Sequence, residues 1–208
     1  MEENKNMTAE RSLEIITKNI EQSRKVLVSL SGKYFLLWGT AVIVTAIAVW
    51  LLWANTSFGS KWNIVWCPAM LATWGINYLM SKREEHLPDT FVTKTMGQIW
   101  AVFGIMAMAL GVACSFMGVS VEHIGTGIIQ PIVIFPITPI IILLFGLATA
   151  ITGRVLDNMT ITMSGFVAGL GGSVGSLFCF GPSQHLVLAL SAFVALVVPG
   201  IIIKCRKG

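Results

Sequence analysis

An all-α polytopic membrane bundle, six transmembrane helices preceded by a cytoplasmic amphipathic helix, is the fold class this sequence predicts. Three observations predict it: long charge-free gaps, the side on which the cations fall, and the placement of Trp and Tyr. Between Lys33 and Lys61 lie 27 residues with no Asp, Glu, Lys or Arg; Lys61 to Lys82 encloses 20, Lys94 to Glu122 encloses 27, Glu122 to Arg154 encloses 31, and Asp157 to Lys204 encloses 46. A helix rises about 1.5 Å per residue, so a hydrocarbon core of about 30 Å takes about 20 apolar residues. The first four gaps fit one span each. The last fits two, divided by Gly181-Pro182-Ser183-Gln184-His185. Six spans put both termini on one side with 13 of the 14 basic residues, leaving Lys61 opposite. By the positive-inside rule that side is the cytoplasm.

Composition agrees. The chain has 208 residues, 55% hydrophobic and only 12% charged, against about 25% charged in soluble domains. The net charge of +4 sits at span ends, where it meets anionic headgroups, so no basic face remains for nucleic acid. The first 21 residues carry five Glu, and the apolar run after them is long and lacks an A-x-A-like site, so the start is not read as a signal peptide. Arg206 and Lys207 after Cys205 do not fit a prenylation signal.

Residues 1–33 read as the amphipathic helix. Thr8 is a candidate N-cap, and Leu13, Ile16, Ile20, Leu27 and Leu30 form one stripe by their three-, four- and seven-residue spacing. Glu14–Lys18 and Glu21–Lys25 are i,i+4 pairs in the favourable order, worth about 0.2–0.5 kcal/mol each. Ser31-Gly32 reads as a hinge. The stripe suits either the lipid surface or a protein, a partner or a second copy of the chain.

The membrane domain, 34–208, divides into spans at about 34–53, 62–80, 99–117, 139–155, 159–180 and 185–203. Trp50, Trp53, Trp62 and Trp66 mark the outer ends of the first two spans, and Tyr34, Trp38 and Tyr78 the inner ends, as an aromatic belt requires. All nine Trp and Tyr fall in spans 1 to 3, which are therefore expected to supply most interfacial anchoring. Ser81–Gln98 is the longest cytoplasmic connection. Span 4 is placed from Pro139, capped by Thr138, because proline is tolerated in a first turn. Gly125–Ile137 before it is an apolar, proline-bearing segment that must be covered by protein or lie at the interface. The short turn Arg154–Asn158 makes spans 4 and 5 antiparallel neighbours, and Pro199-Gly200 should bend span 6. A faint repeat pairs Pro68, Trp74-Gly75 and Arg83 with Pro139, Phe145-Gly146 and Arg154 at identical spacing.

Span 5 carries the densest signal. Gly165, Gly169, Gly171, Gly172 and Gly175, with Ser164, Ser173 and Ser176, put small residues on more than one face and predict a central, closely packed helix. The alternative is a broken helix whose freed backbone groups bind an ion or solute. No span holds an Asp, Glu, Lys or Arg well inside, which argues against ion-coupled transport, proton pumping and voltage sensing. Asn77 is expected to bond a neighbouring helix. Cys67, Cys114, Cys179, His123 and His185 fall at one leaflet depth, with Met70 and Met117, and could in principle hold copper or zinc or form a disulfide. They lack metal-ligand spacing, so neither a metal nor a cofactor is assigned. No nucleophile elbow, zinc-protease motif or P-loop is present, and His86 beside Glu84, Glu85 and Asp89 reads as solvated, so no catalytic residue is assigned and an enzyme is not expected.

The stretch Ser31-Gly32-Lys33-Tyr34-Phe35-Leu36-Leu37-Trp38-Gly39, after a leader containing Glu14-Ile15-Ile16, resembles a group of uncharacterised bacterial six-span proteins, as does Phe145-Gly146-Leu147-Ala148-Thr149-Ala150-Ile151-Thr152-Gly153. The resemblance implies a multi-pass protein of the bacterial inner membrane and carries no activity or functional residue. The expectation is a non-enzymatic membrane protein acting through partner or self-association by its N-terminal helix. The competing reading is a small channel or carrier for a neutral or apolar solute, using the span 5 glycines and Gln130-Pro131.

Overall fold

The computed structural model describes residues 9–82, 91–122 and 137–205, and every regular element among them is helical. In chain order these are α1 (Ala9–Asn55), a 3-10 turn (Gly59–Val65), α2 (Trp66–Lys82), α3 (Phe91–Glu122), α4 (Ile137–Val155), α5 (Met159–Phe166), a π turn (Val167–Gly171), α6 (Gly172–Leu177), a second 3-10 turn (Gly181–Ser183), α7 (Gln184–Ala192), a second π turn (Phe193–Val197) and α8 (Val198–Cys205). Four stretches are long and apolar enough to cross a membrane: Arg11–Asn55, Phe91–Ala113, Ile137–Val155 and Gly181–Cys205.

Helix ends depart from the sequence reading where hydropathy and hydrogen bonding part company. The leader and the first span are one helix of 47 residues, with no hinge at Ser31-Gly32. Ser31 Oγ donates to the Val28 carbonyl at 2.7 Å, within the helix's own ladder. Glycine weakens a helix by only about 1 kcal/mol, and here Gly32 is buried, with the Ile203 side chain and the Gly200 carbonyl against the place a Cβ would occupy. Neither Glu14–Lys18 nor Glu21–Lys25 closes as an ion pair among the described residues, in keeping with the small worth of exposed pairs. α2 starts at Trp66 because Gly59–Val65, including Trp62, is wound as the tighter 3-10 turn. α3 starts eight residues before the expected 99 and runs through Lys94. α4 starts at Ile137, placing Pro139 within its first turn rather than at its head. Thr8, the loop residues 83–90 and the segment from Gly125 to Pro136 lie outside the described residues.

The core sits among α1, α4, the α5–α6 rod and the α7–α8 rod. Leu27 and Phe35 of α1, Phe145 of α4, Ile161 of α5, and Ala192, Ala195 and Leu196 of α7 and its π turn belong to one buried cluster. α3 joins through aromatic edges: Trp100 lies 6.5 Å from Phe35 and 6.2 Å from Phe145, and Phe103 lies 5.8 Å from Phe145. α2 is held more lightly. Thr73 is its one buried residue, and Asn77 accepts from Trp38 Nε1 of α1 at 3.3 Å, the neighbour-helix bond expected of it.

The α4–α5 connection shows how five residues reverse a helix. Asp157 adopts φ 53°, and its N–H bonds the Arg154 carbonyl at 3.2 Å while the Asn158 N–H bonds the Gly153 carbonyl at 2.8 Å. That is a Schellman ending, with Asp at the left-handed position where glycine is usual. Asn158 then caps α5, its side chain accepting from the Ile161 N–H at 3.2 Å. One residue thus ends the first helix and begins the second.

Proline accounts for the irregularity in the last rod. Pro199 has no N–H to give the Ala195 carbonyl four residues back, and its ring crowds that turn. The helix widens just before it, with Val198 N–H reaching Phe193 O. Ser164 Oγ of α5 lies 3.4 Å from the Ala195 carbonyl, although its single proton is shared with the closer Ile161 carbonyl at 2.9 Å. Pro199-Gly200, where the sequence predicts a bend, lies inside α8, which runs through both residues.

Candidate functional site

Three regions are candidates for a functional site: the N-terminal stripe, the glycine face of α5–α6, and a histidine at the opposite end of the bundle. The stripe is split by the fold. Leu27 is 9% exposed and joins the core, and Leu30 is half-buried. Leu13, Ile16 and Ile20 remain open, Leu13 at 63% exposure, with Ile15 and Val26 exposed beside the stripe. An α-helix of Leu27's length from Leu13 advances about 21 Å, so the open half stands well clear of the part that packs on the bundle.

The five glycines named from the sequence divide by face. Gly165, Gly169 and Gly172 step by four and three residues along one side of the rod. A Cβ at Gly165 would meet the Ala150 backbone and lie 2.7 Å from the Gly146 carbonyl, and one at Gly169 would lie 2.9 Å from Gly146 Cα. One at Gly172 would run into Ser191 Oγ of α7. Gly171 meets nothing within 4 Å, and Gly175 only Val187 at 3.9 Å. Three of the five therefore serve close helix packing and two do not. The rod runs on through the glycines, but its α-helical ladder is interrupted there by the π turn Val167–Gly171, which holds Gly169 and Gly171, before α6 resumes it.

The partner glycines were missed. Gly146 and Gly153 of α4 press against Gly169 and against the Thr162 backbone, and Gly39 of α1 would place a Cβ 2.8 Å from Val197 Cγ2. A signal existed. Gly32 and Gly39, like Gly146 and Gly153, are seven residues apart, two helical turns on one face, the spacing that brings backbones together.

At the other end, His185 is buried between two of the belt tryptophans. Trp53 meets its ring edge-on at 5.7 Å, and Trp66 stacks on it at 6.4 Å. Nε2 lies 2.9 Å from Asn63 Oδ1 and Nδ1 3.3 Å from the Pro182 carbonyl; both oxygens accept, so the neutral ring donates to one or the other according to its tautomer. These contacts fasten the α1–α2 connection to the start of α7. The histidine faces protein oxygens with both ring nitrogens and holds no metal geometry; among the described residues no group of three His, Cys, Asp or Glu side chains could hold an ion. Cys67 and Cys179 are free thiols, and His123 lies outside the described residues.

Comparison with protein-family models, with curated proteins and with solved structures found no match to this chain. Its long apolar helices are those of a membrane protein.

Proposed function

We propose that this is a six-span protein of the bacterial inner membrane, with both termini cytoplasmic, that acts without catalysis by associating through its N-terminal helix with a protein partner or with a second copy of itself. One observation carries the reading. α1 passes without a joint from the apolar stretch into the leader, so the leader extends the axis of the first span instead of folding onto the lipid surface. An amphipathic helix on lipid lies in the plane of the interface, with its apolar face down. A leader held along the span axis cannot lie so, and Leu13, Ile16 and Ile20 then face water. Exposed apolar stripes of this kind are protein contact surfaces.

The charge pattern supports the six passes: the α5–α6 rod and α2 with its preceding 3-10 turn supply the two traverses needed between the four long apolar helices. The glycine half of the carrier reading gains no support, because Gly165 and Gly169 are taken up by α4. Cross-linking in intact membranes, followed by recovery through a tag after Gly208, tests the association. Removal of Met1–Lys25 is expected to abolish the cross-linked species while leaving the protein in the membrane. Undiminished recovery of that species would refute the reading.

A further inference from the structure

A cleft of about 420 Å³ opens where α1 crosses the α4–α5 turn, lined by Glu21, Arg24, Lys25 and Val28 of α1 and by Leu156 and Asp157 of the turn. Its charges are balanced, two cations and two carboxylates, and none of the four closes on another as an ion pair among the described residues. Arg24 Nε is buried with no hydrogen-bond partner. A buried guanidinium N–H left without an acceptor is costly, which points to an acceptor brought from outside. Asp157 sits at φ 53°, the Schellman position, which sets its carboxylate at the rim of the depression.

We propose that this cleft binds a phosphate–ammonium zwitterion of the ethanolamine-phosphate class, with Arg24 and Lys25 on the phosphate and Glu21 and Asp157 on the ammonium. Arginine's planar fork suits phosphate oxygens, and a primary ammonium has three donors for the two carboxylates. A simple anion would be repelled by the carboxylates, and a simple cation by Arg24 and Lys25. Val28 and Leu156 give the methylene carbons an apolar floor. The site stands beside Arg154 at the end of α4, and in the six-span reading that is headgroup depth on the cytoplasmic face. The same group reaches the cleft either on a phospholipid or as the free zwitterion.

The test uses full-length protein in a nonionic detergent, where topology plays no part, so it stands or falls apart from the proposed association. Native mass spectrometry would compare retention of short-chain phosphatidylethanolamine, phosphatidylcholine and phosphatidylglycerol. The ethanolamine lipid is expected to be retained most, because choline lacks ammonium donors and glycerol lacks the cation. Asp157→Gly, which relieves the backbone and so should fold at least as well, is expected to lower ethanolamine-lipid retention about tenfold, to the glycerol level. Arg24→Gln is expected to lower both. Competition by free ethanolamine phosphate at millimolar concentration would assign the site to the soluble zwitterion, and its absence to the lipid-borne headgroup. Equal retention of the three lipids, or retention untouched by both variants, would overturn the proposal.

Discussion

α2 and α4 carry the same landmarks in sequence: a proline, an aromatic-glycine pair six and seven residues on, and an arginine eight residues after the glycine. Their surroundings are opposite. Phe145 of α4 is 5% exposed and Gly146 is pressed against Gly169, whereas Trp74 of α2 is 61% exposed and Gly75 has open space where a Cβ would go. The repeat visible in the sequence therefore does not extend to packing. What separates the two helices is the partner each is given. The turn after α4 reverses the chain in so few residues that α5 must lie alongside in a fixed register, and that register sets Gly146 against Gly165 and Gly169. α2 is followed by a long connection, and its firm ties are to α1, through Asn77 and Trp38. A glycine on a helix permits close approach; the neighbour's own small residues decide whether it happens.

Substitution at the paired glycines should open the widest gap between the helices. Gly146→Val is expected to destabilise by about 3 kcal/mol or more, since the obstacle is backbone and cannot rotate away, and Gly75→Val by less than about 0.5 kcal/mol. Unfolding of the detergent-solubilised protein by a denaturing surfactant, followed by circular dichroism, would show it. Similar losses at both positions would break the contrast. The aromatic members give a second, slightly smaller separation: Phe145→Ala should cost about 3 kcal/mol, through its contacts with Trp100 and Phe103, and Trp74→Ala less than about 1 kcal/mol, by the same assay. The smallest effect sharpens the role of the turn. Asn158→Ala should cost about 1 kcal/mol by removing the α5 cap, with faster hydrogen exchange at the first α5 amides and none of that change in α2.

Much of this arrangement is legible in the sequence, and the failures share a cause. Gaps between charges locate the apolar segments well: 139–155 against Ile137–Val155, and 159–180 against a rod that ends at Leu177. They misplace helix ends where a helix continues past its apolar stretch into charged sequence, as α3 does through Lys94 and α1 through Ser31-Gly32. Hydropathy reports the surrounding solvent, while the backbone ladder needs only its own carbonyls. Gly165, Gly169 and Gly172 could be found because three small residues on one face are unusual, but their sorting from Gly171 and Gly175 required knowing where α4 and α7 lie. The burial of His185 was hidden for a similar reason: Asn63, Trp53 and Trp66 reach it from segments more than a hundred residues away. The cleft at Arg24 was hidden too, since Asp157 reads in sequence as an ordinary turn residue.

The unjointed α1 also makes the molecule a lever. From Leu13 to Trp53 it advances about 60 Å, and the far end touches the imidazole that clamps α2 to α7. Because one backbone ladder runs the whole way, a shift of the helix at Leu13 and a shift at the His185 clamp are linked without any side chain having to relay it.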